Sequence, residues 1–147
     1  MAVPTQIVNA LNNLIETCKD GEKGFQTAAQ GVRDPQLKQL FETYVRQRAE
    51  FARELQEAIR QLGAEPETSG SAAGALHRGW MNIKSAVTGT SDSAVVEEAE
   101  RGEDSAKAAY EEALSAPLPG NIRPIVERQY AAVKQAHDQV RALRRAA

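Results

Sequence analysis

The chain has 147 residues and a formal net charge of -2, with acidic and basic residues mixed along its length. This length is in the usual range of one domain and permits a substantial core. Aromatic residues make up only 5% of the chain and strand-like alternation is rare, so the composition predicts an all-α fold. Since no basic face stands out that would neutralise phosphates or anionic lipids, we expect neither nucleic acid nor a membrane as a partner.

The opening segment and the cysteine content bear on the compartment. MAVPTQIVNALNN lacks the basic part and the long apolar run of a signal peptide, and no stretch approaches the length of a membrane span. Cys18 is the single cysteine, so an intrachain disulfide is excluded. These features favour a cytoplasmic location.

Two long helices are predicted in the first half of the chain. Apolar or small residues recur at helical spacing over about 5–31 and again over about 35–62. The sequence RDPQ separates the two helices, because Asp34 can cap a helix whose first residue is Pro35. With so short a link, the two helices must be antiparallel neighbours.

The second half repeats this arrangement after a long crossover. Between 63 and 92 the pattern breaks, and only a short amphipathic helix over about 72–87 is predicted there. Helices over about 93–115 and 122–145 follow, separated by APLPGN. A short, a long and a short connection indicate a four-helix bundle with one crossover, formed by a single domain over 1–147.

A short internal similarity relates the first and third long helices. IETCKDGE in the first matches VEEAERGE in the third, which places Gly21 over Gly102 and Glu22 over Glu103. Glycine costs about 1 kcal/mol of helix propensity relative to alanine. We therefore interpret each glycine as a residue that lets two helices approach or leaves room for a bulky polar partner.

Helical periodicity turns several polar side chains toward the predicted core. Glu22 and Glu103 face inward on the first and third long helices, while Arg48 and His137 face inward on the second and fourth. Isolated ionised groups do not stay buried, so two carboxylates facing the core require a cation. Three further side chains are predicted to join this polar layer: Tyr44, Gln129 and Tyr130.

Two kinds of cation are compatible with this layer, and they imply different functions. Arg48 can bridge the two glutamates through paired hydrogen bonds and form a metal-free network. Alternatively, Glu22, Glu103 and His137 can bind iron, manganese or zinc, because they combine carboxylate oxygens with an imidazole nitrogen. A fixed guanidinium in the same layer repels a metal ion, so the residues favour the network and no cofactor.

Five segments carry a resemblance that covers nearly the whole chain: NLIETCKDGEKGF, RAEFARELQ, SGSAAGALHRGWMNIKSAVTG, ERGEDSAKAAYEEAL and VERQYAAVKQAHDQVRAL. Together they resemble a bacterial family of ferritin-like four-helix-bundle proteins of unassigned role. The resemblance implies a ferritin-like fold. The wider ferritin-like group, which includes the rubrerythrins, usually binds two metals through a glutamate on the first and third helices and an ExxH motif on the second and fourth.

This chain matches only half of the ligand set that the resemblance implies. Glu22 and Glu103 match the glutamates of the first and third helices. The ExxH motifs fail, since 50–53 reads EFAR and 134–137 reads KQAH. The departure puts a di-iron oxidase or peroxidase in doubt and fits a bundle that has lost or reduced its metal site.

Two further features are read as packing. His77 and Trp80 lie one turn apart in the crossover and are predicted to pack it against the bundle, with a binding site at Trp80 as the weaker alternative. Cys18 faces inward among leucines, which is typical of a core residue and not of a reactive thiol.

The pattern as a whole favours a non-catalytic structural, stress-related or protein-interaction role. A homodimer and an unidentified protein are the candidate partners. The rival hypothesis is a metal-binding protein, or a degenerate di-iron oxidase or peroxidase, that uses Glu22, Glu103 and His137 with iron or manganese.

Overall fold

A computed structural model describes residues 4–66, 79–89 and 91–146. Within these ranges the backbone is helical and contains no strand, which confirms the predicted all-α class. No described helix combines the length and the apolarity that crossing a membrane requires. The helices are α1 (Thr5–Gly31), α2 (Pro35–Gln61), α3 (Ile83–Thr88), α4 (Asp92–Leu114) and α5 (Arg123–Ala146).

The four long helices begin and end within one residue of the bounds expected from the sequence. The short helix differs, because α3 begins at Ile83 and residues 79–82 of the predicted 72–87 are not helical. Gly79 has φ +90°, in the left-handed region, so a right-handed helix does not run through it. Residues 67–78, including His77, lie outside the described part of the chain.

Packing joins the helices into an antiparallel bundle. α1 packs against α2 and α4, and α4 packs against α5. The Asp34 side chain accepts a hydrogen bond from the Gln36 N–H at 2.8 Å, so the predicted cap of α2 is present. The carboxylate of Asp92, the first residue of α4, accepts the backbone N–H groups of Arg33 and Asp34 at 2.9 Å each. The start of α4 is thereby fixed to the link between α1 and α2.

The apolar core consists of two clusters, one toward each end of the bundle. On α2, Arg48 lies between Tyr44 of one cluster and Phe51 of the other. Glu103 lies between Ala99 and Ala106 on α4 in the same way. The core is therefore interrupted by a charged layer. The first cluster includes Leu11, Leu14, Cys18, Phe51, Leu55, Tyr110, Val126 and Val133, and the second includes Phe25, Phe41, Tyr44, Trp80, Ile83, Val95, Ala99 and Val140.

Candidate functional site

An ion pair between α2 and α4 forms the centre of this charged layer. Arg48 Nη1 donates to Glu103 Oε1 at 2.7 Å, and Arg48 Nη2 donates to Glu103 Oε2 at 2.6 Å. The exposed fractions of the two side chains are 1% and 0%. This two-pronged geometry is the strongest form of an arginine–carboxylate contact, and it engages both oxygens of the glutamate.

The residues around Arg48 accept a further hydrogen bond from it and leave room for its side chain. Its Nε donates to Gln47 Oε1 at 3.2 Å, and its guanidinium carbon lies 5.4 Å from the centroid of the Phe25 ring. Gly21 faces the same guanidinium, because a Cβ added there would lie 3.3 Å from Nη1. Burial opposes the charge of Arg48, but the charge and hydrogen bonds of Glu103 outweigh it and raise the pKa.

A chain of hydrogen bonds runs beside the ion pair through the first cluster. Tyr110 donates its hydroxyl proton to Gln129 Oε1 at 2.6 Å, and its hydroxyl oxygen lies 3.2 Å from Cys18 Sγ. Gln129 Nε2 donates to Glu54 Oε1 at 3.1 Å and to the Phe51 carbonyl at 3.3 Å. Gln129 was predicted in the polar layer, whereas the sequence analysis did not identify Tyr110 as its partner.

The titration of these groups reflects their burial. Desolvation raises the pKa of the Cys18 thiol to about 11 and raises that of Tyr110 well above its usual value. A thiol with a raised pKa is protonated near neutral pH and is a weak nucleophile. These values agree with the interpretation of Cys18 as a core residue.

The structure places Glu22 apart from the ion pair. Its side chain is half-buried at the flank of α1, while its neighbours Asp20 and Gly21 take the buried positions. Arg48 donates to both oxygens of Glu103, and the described residues show no ion pair between Arg48 and Glu22. The expectation that Glu22 faces the core is therefore not met. The reason is a small rotation of the buried arc of α1 relative to the one drawn from apolar spacing.

His137 is buried, as predicted, and its ring nitrogens lie close to two aspartates and not to Glu22 or Glu103. Its Nε2 lies 2.6 Å from Asp104 Oδ1, and its Nδ1 lies 3.1 Å from Asp138 Oδ1. Both aspartates are exposed. The hydrogen bond and charge of His137 lower the pKa of Asp138, and burial counteracts this only in part. His137 thus lies at the rim between α4 and α5.

The two predicted tyrosines also bind at the periphery. Tyr44 is buried and donates its hydroxyl proton to Gln139 Oε1 at 2.6 Å, and burial raises its pKa to about 12. Tyr130 donates to Glu111 Oε2 at 2.7 Å in an exposed contact. Neither hydroxyl contacts the Arg48–Glu103 pair.

Trp80 occupies a space that the sequence did not reveal. The indole lies between α1 and α4, where a Cβ added to Gly24 or Gly102 would overlap it. It is 1% exposed and packs edge-on against Phe25, with ring centroids 4.9 Å apart. Gly102 therefore makes room for an aromatic ring and not for the polar partner expected from the sequence. Trp80 packs the crossover against the bundle, as predicted.

Glu98 is another buried carboxylate on α4, and it was not predicted from the sequence. Its oxygens accept hydrogen bonds from the Asn82 backbone N–H and, at 2.8 Å, from Arg101 Nη1. It holds the segment after Trp80 against α4. In the sequence EEAERGED, the spacing did not distinguish Glu98 from the solvent-exposed charged residues around it.

Within residues 4–66, 79–89 and 91–146, no group of three or more His, Cys, Asp or Glu side chains is arranged to bind a metal ion.

A family model described as a domain of unknown function (DUF2383) matches residues 6–116. The chain belongs to this family. No curated protein matches the chain.

The DUF2383 match covers α1 to α4 and ends two residues after α4. It therefore includes both members of the Arg48–Glu103 pair and Trp80 with its two glycines. α5 lies outside the matched range, together with Gln129 and His137. The charged layer is formed within the DUF2383 region, while the rim contact of His137 depends on α5.

Proposed function

We propose that this DUF2383 chain is a cytoplasmic, ferritin-like four-helix bundle with a non-catalytic structural, stress-related or protein-interaction role. The observation that carries the proposal is the Arg48–Glu103 pair. The guanidinium is buried with Glu103, a residue that would be a metal ligand in the ferritin-like arrangement we propose. The interior is then a structural element, and function belongs to the outer surface.

The chemistry of the pair supports this reading. An arginine is permanently charged in proteins, and here both oxygens of the carboxylate accept hydrogen bonds from it. A divalent cation at Glu103 would have to displace these bonds and lie beside a fixed positive charge in a buried layer. That position is electrostatically unfavourable.

The other residues of the ferritin-like ligand set are dispersed in ways that support the same proposal. Arg53 and Glu50 pair with each other on the exposed side of α2. His137 binds Asp104 and Asp138 at the rim. The residues present therefore do not fit a di-metal centre, and we derive no metal chemistry for this site.

Topology supports the ferritin-like part of the proposal. Two antiparallel hairpins, α1–α2 and α4–α5, are joined across the length of the bundle by the segment that contains α3. Ferritin-like bundles have one such long crossover, whereas an up-and-down bundle has short loops throughout.

Elemental analysis after loading tests the proposal. Protein purified without chelator or affinity nickel is loaded anaerobically with ferrous iron and, separately, with manganese. We expect metal at background level, and we expect a chelator to leave the melting temperature unchanged, since only a ligand bound by the native state stabilises it.

The control is the Glu22→Ala Glu103→Ala double variant. Wild-type protein that retains about one metal per chain, lost in this double variant, would contradict the proposal and support the rival metal-binding function with Glu22, Glu103 and His137. The same loaded samples would then be assayed for oxygen and peroxide consumption.

A further inference from the structure

The surface formed by the start of α1 and the loop after α4 is depleted in charged residues. Residues 5–15 of α1, TQIVNALNNLI, form the longest stretch without a charged residue in any of the described helices. The loop after α4 that lies at the same end, LSAPLPGNI over 114–122, is also uncharged. Charged residues make up 26% of the chain. The depletion of charge on one surface is a compositional mark of interfaces.

A groove with a volume of about 440 Å³ lies on this surface, between the start of α1 and the end of α4. Ala113 and Ala116 form its buried floor, so a second backbone can approach closely. The rim carries amides from α1 and one carboxylate from α4. These rim residues are Gln6, Asn9, Asn13 and Glu112.

The start of α1 is rich in asparagine, a residue that is unfavourable inside helices. NALNN places three asparagines within the second and third turns of α1, after the cap position, which is occupied by Pro4. Asparagine ranks low in helix propensity because it competes for backbone hydrogen bonds. Asn9 is exposed and Asn13 is half-buried, so both amides that line the groove lie where a partner can reach them.

We infer that this amide-lined groove, defined by Gln6, Asn9, Asn13 and Glu112, is the contact surface for a second copy of this chain related by a two-fold axis. The inference rests on the proposed interaction role. In a two-fold contact each patch meets itself, so it must be self-complementary. An amide both donates and accepts hydrogen bonds and pairs with an identical amide, whereas a patch of one charge repels its own copy.

Glu112 fits the same arrangement. Its carboxylate accepts from amide N–H₂ groups, and the amides of the facing copy supply them. Glu112 is the single charged residue among the described residues that line the groove, so a partner surface of opposite charge has little to match. Self-association through this groove is therefore expected to depend little on salt.

Sedimentation analysis of the full chain from about 1 μM to about 1 mM tests the inference. The test variant is Asn9→Asp with Asn13→Asp, which keeps side-chain size and places like charges opposite each other across the axis. The control is Gln26→Glu with Gln30→Glu, which makes the same charge change at exposed positions near the other end of α1. Circular dichroism verifies that each variant is folded.

We expect a wild-type dimer, a control variant that dimerises as the wild type does, and at least about 100-fold weaker association of the aspartate variant. A wild-type chain that is monomeric at every concentration would overturn the inference and leave the groove to another partner. An aspartate variant that dimerises like the wild type would overturn it as well. Metal analysis of the same preparations reports separately on the proposed function.

Discussion

Two adjacent carboxylates on α4 have partners in opposite environments. Glu103 points into the bundle and is fully enclosed with Arg48, while Asp104 points outward and meets His137 at the rim. Arginine stays charged at any physiological pH. The inner pair is thus a fixed element of the core, whereas the rim contact has one solvent-exposed partner.

The contrast teaches that burial sets the consequence of losing one partner. A buried ion pair contributes little net stability compared with a well-packed apolar alternative, but removing one partner leaves an uncompensated charge in the core. An exposed carboxylate that loses its partner is simply solvated by water. Removing the partner of a carboxylate therefore costs much more stability on the inner side of α4 than on its outer side.

Arg48→Met is expected to give the largest effect. The substitution leaves Glu103 buried without a cation, so the free energy of unfolding should fall by about 3–5 kcal/mol in denaturant titration. The matched control is Arg53→Met, which removes the exposed partner of Glu50 and should leave the stability almost unchanged. Equal losses in the two variants would erase the contrast between the inner and outer pairs.

Two tyrosines allow the same comparison between a buried and an exposed contact, here with neutral groups. Tyr110→Phe removes the hydroxyl between Cys18 and Gln129 and leaves two buried groups without a partner, which should cost about 1–2 kcal/mol. Tyr130→Phe removes only an exposed bond to Glu111 and should have little effect. Thermal unfolding of the two variants side by side measures the difference. A larger loss from Tyr130→Phe would show that burial does not govern these contacts.

The smallest effect is expected at the rim. His137 lowers the pKa of Asp138 below its ordinary value of 3.8, so the contact stabilises the fold above that pH. As the pH falls through the lowered pKa, Asp138 is protonated and this contribution is lost. NMR titration of the Asp138 carboxyl should show the lowered pKa in the wild type and a return toward the ordinary value in His137→Gln. An identical titration in both proteins would exclude His137 as the cause.

Much of the fold followed from local patterns. Apolar spacing located the four long helices, and RDPQ located the turn between α1 and α2, because capping is decided within a few residues. The structure of the crossover was harder to predict from the sequence. Its short helix is limited by the left-handed backbone of Gly79 and by the packing of Trp80 between Gly24 and Gly102, which involves residues far apart in sequence.

The site was predictable where a side chain lies at the middle of a buried face. Arg48 and Glu103 are such residues, and periodicity identified both as facing the core. Glu22 and His137 lie nearer the edges of their faces, where a small rotation of the helix decides between core and rim. Tyr130 is a similar case on α5. Which carboxylate an inward cation selects depends on tertiary geometry that one helix does not specify.

A double-mutant cycle on Arg48 and Glu103, measured by denaturant unfolding in the presence of chelator, tests most directly whether the two side chains satisfy each other at the centre of the bundle. The variants are Arg48→Met, Glu103→Leu and the combination of the two. Each single substitution should be strongly destabilising, while the double variant should be less destabilised than either single variant, which corresponds to a coupling energy of at least about 3 kcal/mol. Additive single losses, or a wild-type stability that depends on added metal, would contradict the account.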